Sequence, residues 1–428
     1  MLPPEDAWKR LEPYARPLPA VTLARRRAAG RVLARPVAAT ADVPAADVSA
    51  MDGFALAGPA AVGEALPISG LVAAGDPPGR ALPEGTALRI MTGAPLPDGA
   101  DRVIPVERAR VTENGAPEGG AVTFEVTGGA GDHVRRRGEV ARAGDELLPA
   151  GTFLTPGALS LLASQGLAEV TVHRSPRVAL VVTGDEVVPP DEEPGPGKLR
   201  DSHTDFLLAA CRSLGLEAQP LGIAADDPEA LRERVEQGLE ADVLLLSGGV
   251  SMGEYDLVEG VLVELGCEPL FDAVAIQPGK PLVAAVAPAH HQADGSVSGD
   301  PTLVFGLPGN PASAMVCFWL FVRPALRRFL GRSDAFWHGA LAGELAAPLA
   351  AGKTGPAARD LFLPAQVAFG PGGAAADGRL RVTPVRPVGS HDLGAYGRGT
   401  ALVRVRPGAP AREAGEGCEV LPLVDWLE

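Results

Sequence analysis

The amino-acid sequence predicts a multidomain α/β protein built on a central doubly wound parallel or mixed sheet domain. Three observations carry that expectation. Between Arg177 and Leu330, apolar runs of strand length alternate with helical patterns. Glycine-rich text follows those runs at their ends. Elsewhere the chain is dense in Pro and Gly, or alternates apolar and polar residues, as β-rich segments do. At 428 residues the chain exceeds one hydrophobic core, so two to four domains are expected.

In chain order, residues 1–41 hold a helix-like start and a basic run, Arg25 to Arg27. Residues 42–131 carry short apolar runs between Pro and Gly turns, as in ALRIMTGAPLPDGADRVIPVE, and read as a small β-rich domain. The stretch ENGAPEGGAVTFEVTGGAGD reads as a hairpin and loop. PRVALVV is a buried strand ending in TGDE. A helix follows from His203 to Leu214, with Ser202 as N-cap, Asp205 completing a capping box and Gly215 as the stop. EAQPLGIA gives the next strand. DDPEALRERVEQGLE reads as a helix with Asp227 as cap and Pro228 at its first position. VLLLS is a strand running into GGVSMGEYD, and the helix LVEGVLVELG follows. TLVFG is another buried strand, and a long apolar helix starts at Pro311, with Asn310 as a strong N-cap. From Gly331 the segments RLRVTPV and ALVRVRP alternate, which predicts a small C-terminal β domain.

Composition excludes several classes. A net charge of −15 disfavours sequence-independent nucleic-acid binding. No long uncharged apolar run suggests a membrane span, and MLPPEDAWKR lacks the pattern of a secretory signal. Cys211, Cys267, Cys317 and Cys418 show no paired spacing, which suits buried free thiols in a reducing cytosol. The seven histidines form no zinc-type cluster. A cytoplasmic protein is expected.

Four motifs fall at the carboxyl ends of the predicted strands, where ligands bind in such sheets. GLPGNPASAM sets Pro308, Gly309, Asn310 and Pro311 at a helix start whose free amides suit an anion, and Ser313 adds a hydroxyl. LLLSGGVSMGEYD removes side chains at Gly248 and Gly249 and offers the hydroxyls of Ser247 and Ser251. It lacks the Gly-Lys-Ser ending of a Walker motif. Its Asp256 is either the cap of the following helix or a metal ligand. VVTGDEVV presents Thr183, Gly184, Asp185 and Glu186 at a strand end. Glu186, Asp256 and Asp226 or Asp227 share one predicted sheet edge, and magnesium takes one or two such carboxylates together with substrate phosphates. IQPGKP places Lys280, one of only four lysines, in a rigid turn, as a surface charge or as a point charge for an oxyanion. Outside the sheet domain, Asp52 in DVSAMDGFAL and Thr92 in RIMTGAP read individually as turn residues.

SAMDGFAL, MTGAPLPDGADRVIPVE, HVRRRGE, AGDELLPAG, TGDEV, LRDSH, SGGVSMGEYD, PGKP and GLPGNPAS, in this order, resemble the MoeA type of molybdopterin molybdenumtransferase, related to the E domain of gephyrin. The resemblance covers nearly the whole chain. It implies insertion of molybdate into adenylyl-molybdopterin, with Mg²⁺-assisted release of AMP. It implies four domains: 1–41 with 132–174 as a dimerisation region, 42–131 as the small β-rich domain, 175–330 as the molybdopterin-binding domain and 331–428 as a barrel-like C-terminal domain. It further implies a homodimer with its cleft between subunits, and transient contact with the molybdopterin adenylyltransferase. Asp52, Thr92, Glu186, Asp227 and Asp256 would serve catalysis, and Glu186, Asp226 and Asp256 the metal. Thr183, Gly184, Asp185, Ser247, Gly248, Gly249, Ser251, Pro308, Gly309, Asn310 and Pro311 would bind the pterin substrate. Lys280, Ser313, Arg359 in ARDLF and Ser390 in GSHDL would hold molybdate. Gln277 and Val140 depart from the family, which often has Lys and Asp there, so the oxyanion site has one positive charge fewer.

Two other functions compete with this one. The related adenylyltransferase shares the sheet-domain pattern but usually lacks the SAMDG domain and the C-terminal barrel. A pterin-binding scaffold without catalysis would not need Asp52, Glu186 and Asp256.

Overall fold

A computed structural model describes residues 1–112, 118–249, 257–288, 290–291, 297–298, 300–333, 340–368 and 380–423. The chain forms two compact units, one of residues 23–29 and 35–170, the other of residues 1–22, 30–34 and 171–428. It opens with helix α1 (Pro4–Leu11), whose Ala7, Trp8 and Leu11 are buried in the larger unit.

The smaller unit is a six-stranded sheet of β1 (Gly53–Leu56), β2 (Leu66–Val72), β3 (Ala87–Ile90), β4 (Arg102–Pro105), β5 (Ala109–Val111) and β6 (Glu118–Phe124). The spatial order is β4-β1-β3-β2-β6-β5. Successive β1 residues point to opposite faces, and both faces are covered. Phe54 and Leu56 join Ile104 and Phe124 on one side, and Ala55 joins Leu88 and Val103 on the other. That double burial is why this region reads as apolar runs between turns. Helix α2 (Pro156–Ser164) follows, with the Thr155 hydroxyl accepting from the Ala158 N–H at 3.2 Å.

The larger unit contains the sheet that the sequence predicts. Its elements are β7 (Val178–Thr183), α3 (His203–Arg212), β8 (Ala218–Ala224), α4 (Pro228–Gly238), β9 (Val243–Ser247), α5 (Leu257–Glu264), β10 (Glu268–Phe271), β11 (Val283–Ala287) and β12 (Thr302–Leu307). Helix α6 (Pro311–Cys317) runs through a wider turn into α7 (Arg323–Phe329). The wider turn has a local cause: Pro324 has no N–H to close the bond to the preceding turn. The strand order is β8-β7-β9-β12-β11-β10. The first four strands are parallel, and β11 is antiparallel to both its neighbours, β12 and β10, so the sheet is mixed.

Alternate side chains of the strands enter two cores. Leu180, Leu245 and Phe305 meet α1, α3, α6 and α7 on one face, while Val181, Leu246 and Val304 meet α4 and α5 on the other. Helices thus cover both faces. After β7 the chain places β8 on one side, then returns to place β9 on the other. The resulting crevice lies at the carboxyl ends of β7 and β9. The four cysteines are buried free thiols. Among the described residues no helix is long and apolar enough to cross a membrane.

Two caps differ from expectation. Ser202 already has helical backbone angles (φ −109°, ψ −5°) and makes no capping bond, so the capping box with Asp205 does not form. Asp201 takes over, accepting from the N–H groups of His203 at 2.8 Å and Thr204 at 3.1 Å. Asn310 stands at the start of α6 without a side-chain cap, and the Ala312 N–H donates to the Ser390 carbonyl at 3.2 Å. Asp227 caps α4 as expected, accepting from the Ala230 N–H at 2.9 Å.

Toward the C-terminus, β13 (Leu341–Leu345), β14 (Asp360–Ala368), β15 (Leu380–Pro384), β16 (Ala401–Val405) and β17 (Gly417–Pro422) close into a five-stranded barrel in the order β14-β15-β13-β17-β16. Its interior is filled by Leu345, Ala365, Val382, Val403 and Val420. A helix that periodicity does not reveal, α8 (Leu393–Arg398), lies between β15 and β16, capped by Asp392. It is one and a half turns long and contains two glycines, too short for a 3.6-residue pattern to register.

Candidate active site

A cavity of about 600 Å³ opens at the carboxyl ends of β7, β9 and β12. The ends of β7 and β9 supply Thr183 and Ser247, and the turns beyond the three strands supply Glu186, Gly248, Gly249, Pro308, Gly309, Asn310 and Pro311. Three sequence motifs that lie far apart in the chain thus share one cavity. The rim from Glu186 to Arg200 folds back on itself, with Leu199 N–H donating to the Glu186 carbonyl at 2.7 Å. Lys198 donates to the Asp185 carbonyl on the same rim.

The backbone leaves no room for side chains at the switch point. A Cβ on Gly248 would lie 2.3 Å from the Thr183 carbonyl oxygen, and Gly248 has φ +99°. A Cβ on Gly249 would lie 2.8 Å from the Thr183 hydroxyl, at φ +65°. Both positions therefore require glycine. The Thr183 hydroxyl is buried and has no hydrogen-bond partner among the described residues. A buried orphan hydroxyl is costly in a finished core, and it is the kind of group a ligand completes.

Glu186 lies on the cavity wall. Asp226 and Asp185 face each other, each backbone N–H donating to the other's carboxylate at 3.3 and 3.1 Å. Asp227 is engaged as the α4 cap. Asp256 and Ser251 lie outside the described residues. Among the described residues no three His, Cys, Asp or Glu side chains form a metal-binding group.

The proposed oxyanion residues gather at the start of α6, beside the cavity. The Ile276–Gln277 strand pairs in parallel with the first residues of β14, and the turn after it carries Lys280. Gly279 in that turn packs against Cys317 and the Ser313 carbonyl, and the Cys317 thiol donates to the Gly279 carbonyl at 3.5 Å. Arg359 donates to the Ile276 carbonyl at 3.5 Å. Ser390 meets the first turn of α6 through Ala312. Lys280 and Arg359 are both half-buried. Gln277 sits in this strand, while Val140, in the smaller unit, is 76% exposed.

In the smaller unit, Asp52 and Thr92 meet directly. The Thr92 N–H and hydroxyl both donate to Asp52 Oδ1, at 2.6 and 2.7 Å. These two bonds, the backbone one first, hold the Asp52 carboxyl below its ordinary pKa.

Sequence reasoning passed over the charged and imidazole side chains of the cavity wall at Arg200, Asp201, His203 and His391. His203 is the first residue of α3 and is buried, and its Nδ1 is hydrogen-bonded to the Ser247 hydroxyl. Burial pushes its pKa down, against the opposing pull of Asp201. LRDSH carried a signal for it, since a helix start after the first strand of a doubly wound sheet faces the crevice. No local signal marks His391, which the fold brings in from the segment between β15 and β16.

Two family descriptions match this chain. Residues 2–166 match the MoeA N-terminal region (domains I and II), and residues 179–328 match a probable molybdopterin binding domain. A molybdopterin molybdenumtransferase of Nostoc sp. is 38% identical over 310 residues, covering 71% of this chain and 67% of the relative. One from Staphylococcus aureus is 30% identical over 342 residues, covering 78% of this chain and 77% of the relative. The solved structure of a molybdopterin biosynthesis MoeA protein from Pyrococcus horikoshii aligns over 100% of both chains with a TM-score of 0.77 and 29% identity.

Proposed function

The chain belongs to the molybdopterin molybdenumtransferase family, and on that premise we propose that the cavity at β7, β9 and β12 holds adenylyl-molybdopterin while molybdate enters beside it. The protein is a transferase of molybdenum cofactor biosynthesis. The observation that carries the site assignment is the glycine-lined crevice with its unpartnered Thr183 hydroxyl. A diphosphate needs close backbone approach and hydrogen-bond donors, and this crevice offers both.

The donors present fit magnesium: a carboxylate at Glu186, a neighbouring hydroxyl at Thr183 and further carboxylates at Asp185 and Asp226, all hard oxygen ligands. Glu186, with Asp226 and Asp256, would hold the ion. Bound Mg²⁺ supplies charge neutralisation on the diphosphate as its P–O bond breaks. The chain's own residues position the reactants. Gly248 and Gly249 let the diphosphate approach the backbone. Pro308 and Pro311 fix the turn beside it. Lys280 and Arg359 meet the molybdate oxyanion with positive charge, which a protein of net charge −15 must supply locally. Asp52 and Thr92 act as a preset pair on the smaller unit. A cytoplasmic homodimer with the cleft between subunits completes the reading.

Purified protein given adenylyl-molybdopterin, Mg²⁺ and molybdate tests it. AMP release should require molybdate, and release indifferent to molybdate would sink the assignment. ATP consumption with unadenylylated pterin would instead indicate the adenylyltransferase, a reading that the match over residues 2–166 does not favour. Binding without turnover would indicate a scaffold.

A further inference from the structure

His203 is a buried polar side chain of the cavity wall that the reading above leaves without a task. Its Nδ1 is hydrogen-bonded to the Ser247 hydroxyl, and its backbone N–H is taken by Asp201. His203 lines the cavity, and its Nε2 has no hydrogen-bond partner among the described residues.

The tautomer follows from Ser247. That side chain is 0% exposed, and its hydroxyl has His203 as its hydrogen-bond partner. If the hydroxyl accepted from Nδ1–H, its own O–H would be buried without an acceptor. If it donates to Nδ1, only lone pairs go unmatched, which costs far less. The hydroxyl therefore donates and the ring proton sits on Nε2. Burial pushes the ring's pKa down against the opposing pull of Asp201, whose Oδ1 accepts from the His203 and Thr204 N–H groups.

We infer that His203 donates a hydrogen bond from Nε2–H to a phosphoryl oxygen of the substrate's diphosphate, in a tautomer set by Ser247. Asn310, with an amide donor, lines the same cavity. The inference rests on the proposed substrate.

Steady-state kinetics on the full-length protein tests it, with ADP as a diphosphate probe. His203→Leu is expected to raise the adenylyl-molybdopterin KM and the ADP inhibition constant each about tenfold, leaving the molybdate KM unchanged. His203→Gln, whose amide extends to the Nε2 position, should recover most of both. If His203→Leu does not fold, His203→Asn carries the same expectation, since its amide oxygen can accept from the Ser247 hydroxyl while no group reaches the Nε2 position toward the cavity. Unchanged ADP inhibition overturns the inference, whether or not the KM rises, because the contact then lies away from the diphosphate. Loss of molybdate-dependent AMP release in the unaltered protein would instead defeat the substrate reading itself.

Discussion

A single oxygen of Asp52 accepts both donors of Thr92, the backbone N–H at 2.6 Å and the hydroxyl at 2.7 Å. The two residues lie 40 positions apart and both are exposed. A fixed, solvent-facing carboxylate on a rigid sheet is poised for a ligand more than for stability.

The pair makes a pH prediction. Hydrogen bonds from Thr92 lower the Asp52 pKa in the folded state. A carboxyl depressed in this way contributes stability above its unfolded pKa and loses it as pH falls through the folded value. Thr92→Val removes the hydroxyl donor and keeps the shape. The Asp52 titration should then move upward, toward the ordinary carboxylate range, as read by carbon-detected NMR. A midpoint that stays put would mean the hydroxyl bond is not formed in solution.

Two glycines should respond oppositely to alanine. Gly248→Ala forces a methyl to within 2.3 Å of the Thr183 carbonyl at φ +99°, and should cost roughly 2–4 kcal/mol. Gly260 lies within α5 with nothing within 4 Å of its Cβ position. Gly260→Ala should stabilise by about 0.5–1 kcal/mol. Urea unfolding monitored by circular dichroism measures both, and equal shifts would contradict the tight switch point.

The start of α3 gives a third test. Asp201→Ala removes the acceptor for two helix N–H groups and should cost about 1–2 kcal/mol. Ser202→Ala, at a position with no capping bond, should stay within about 0.5 kcal/mol. The reverse order would restore Ser202 as the cap.

That cap shows where the sequence was legible and where it was not. The helix after TGDE was visible from its start and stop residues, but Ser202 and Asp201 are both good capping residues, and backbone angles alone decide between them. The strands β7, β9 and β12 were legible because both their faces are buried, which leaves continuous apolar runs. The reversed strand β11 carries no sign of its direction in its side chains. Thr183, Gly248, Gly249 and Pro311 could be placed on one edge because parallel strands all end there. His391 could not, since a non-local closure brings it to the cavity. Asp227 was ambiguous in the sequence, and its bond to Ala230 accounts for it as a cap.

The last prediction separates the two halves of the proposed chemistry. Glu186 lies on the cavity wall, while Lys280 lies in the turn packed against Ser313 and Cys317. Glu186→Gln removes the charge that would hold magnesium and keeps the side chain's volume. It should reduce molybdate-dependent AMP release about 100-fold or more, and raising Mg²⁺ should recover part of it. Lys280→Ala removes a point charge from the oxyanion side. It should raise the molybdate KM about tenfold with little change in the adenylyl-molybdopterin KM. Initial-rate measurements with each substrate varied in turn distinguish the two. If Lys280→Ala weakened both substrates equally, the turn would be shaping the whole cavity, and the separate oxyanion site would have to be abandoned.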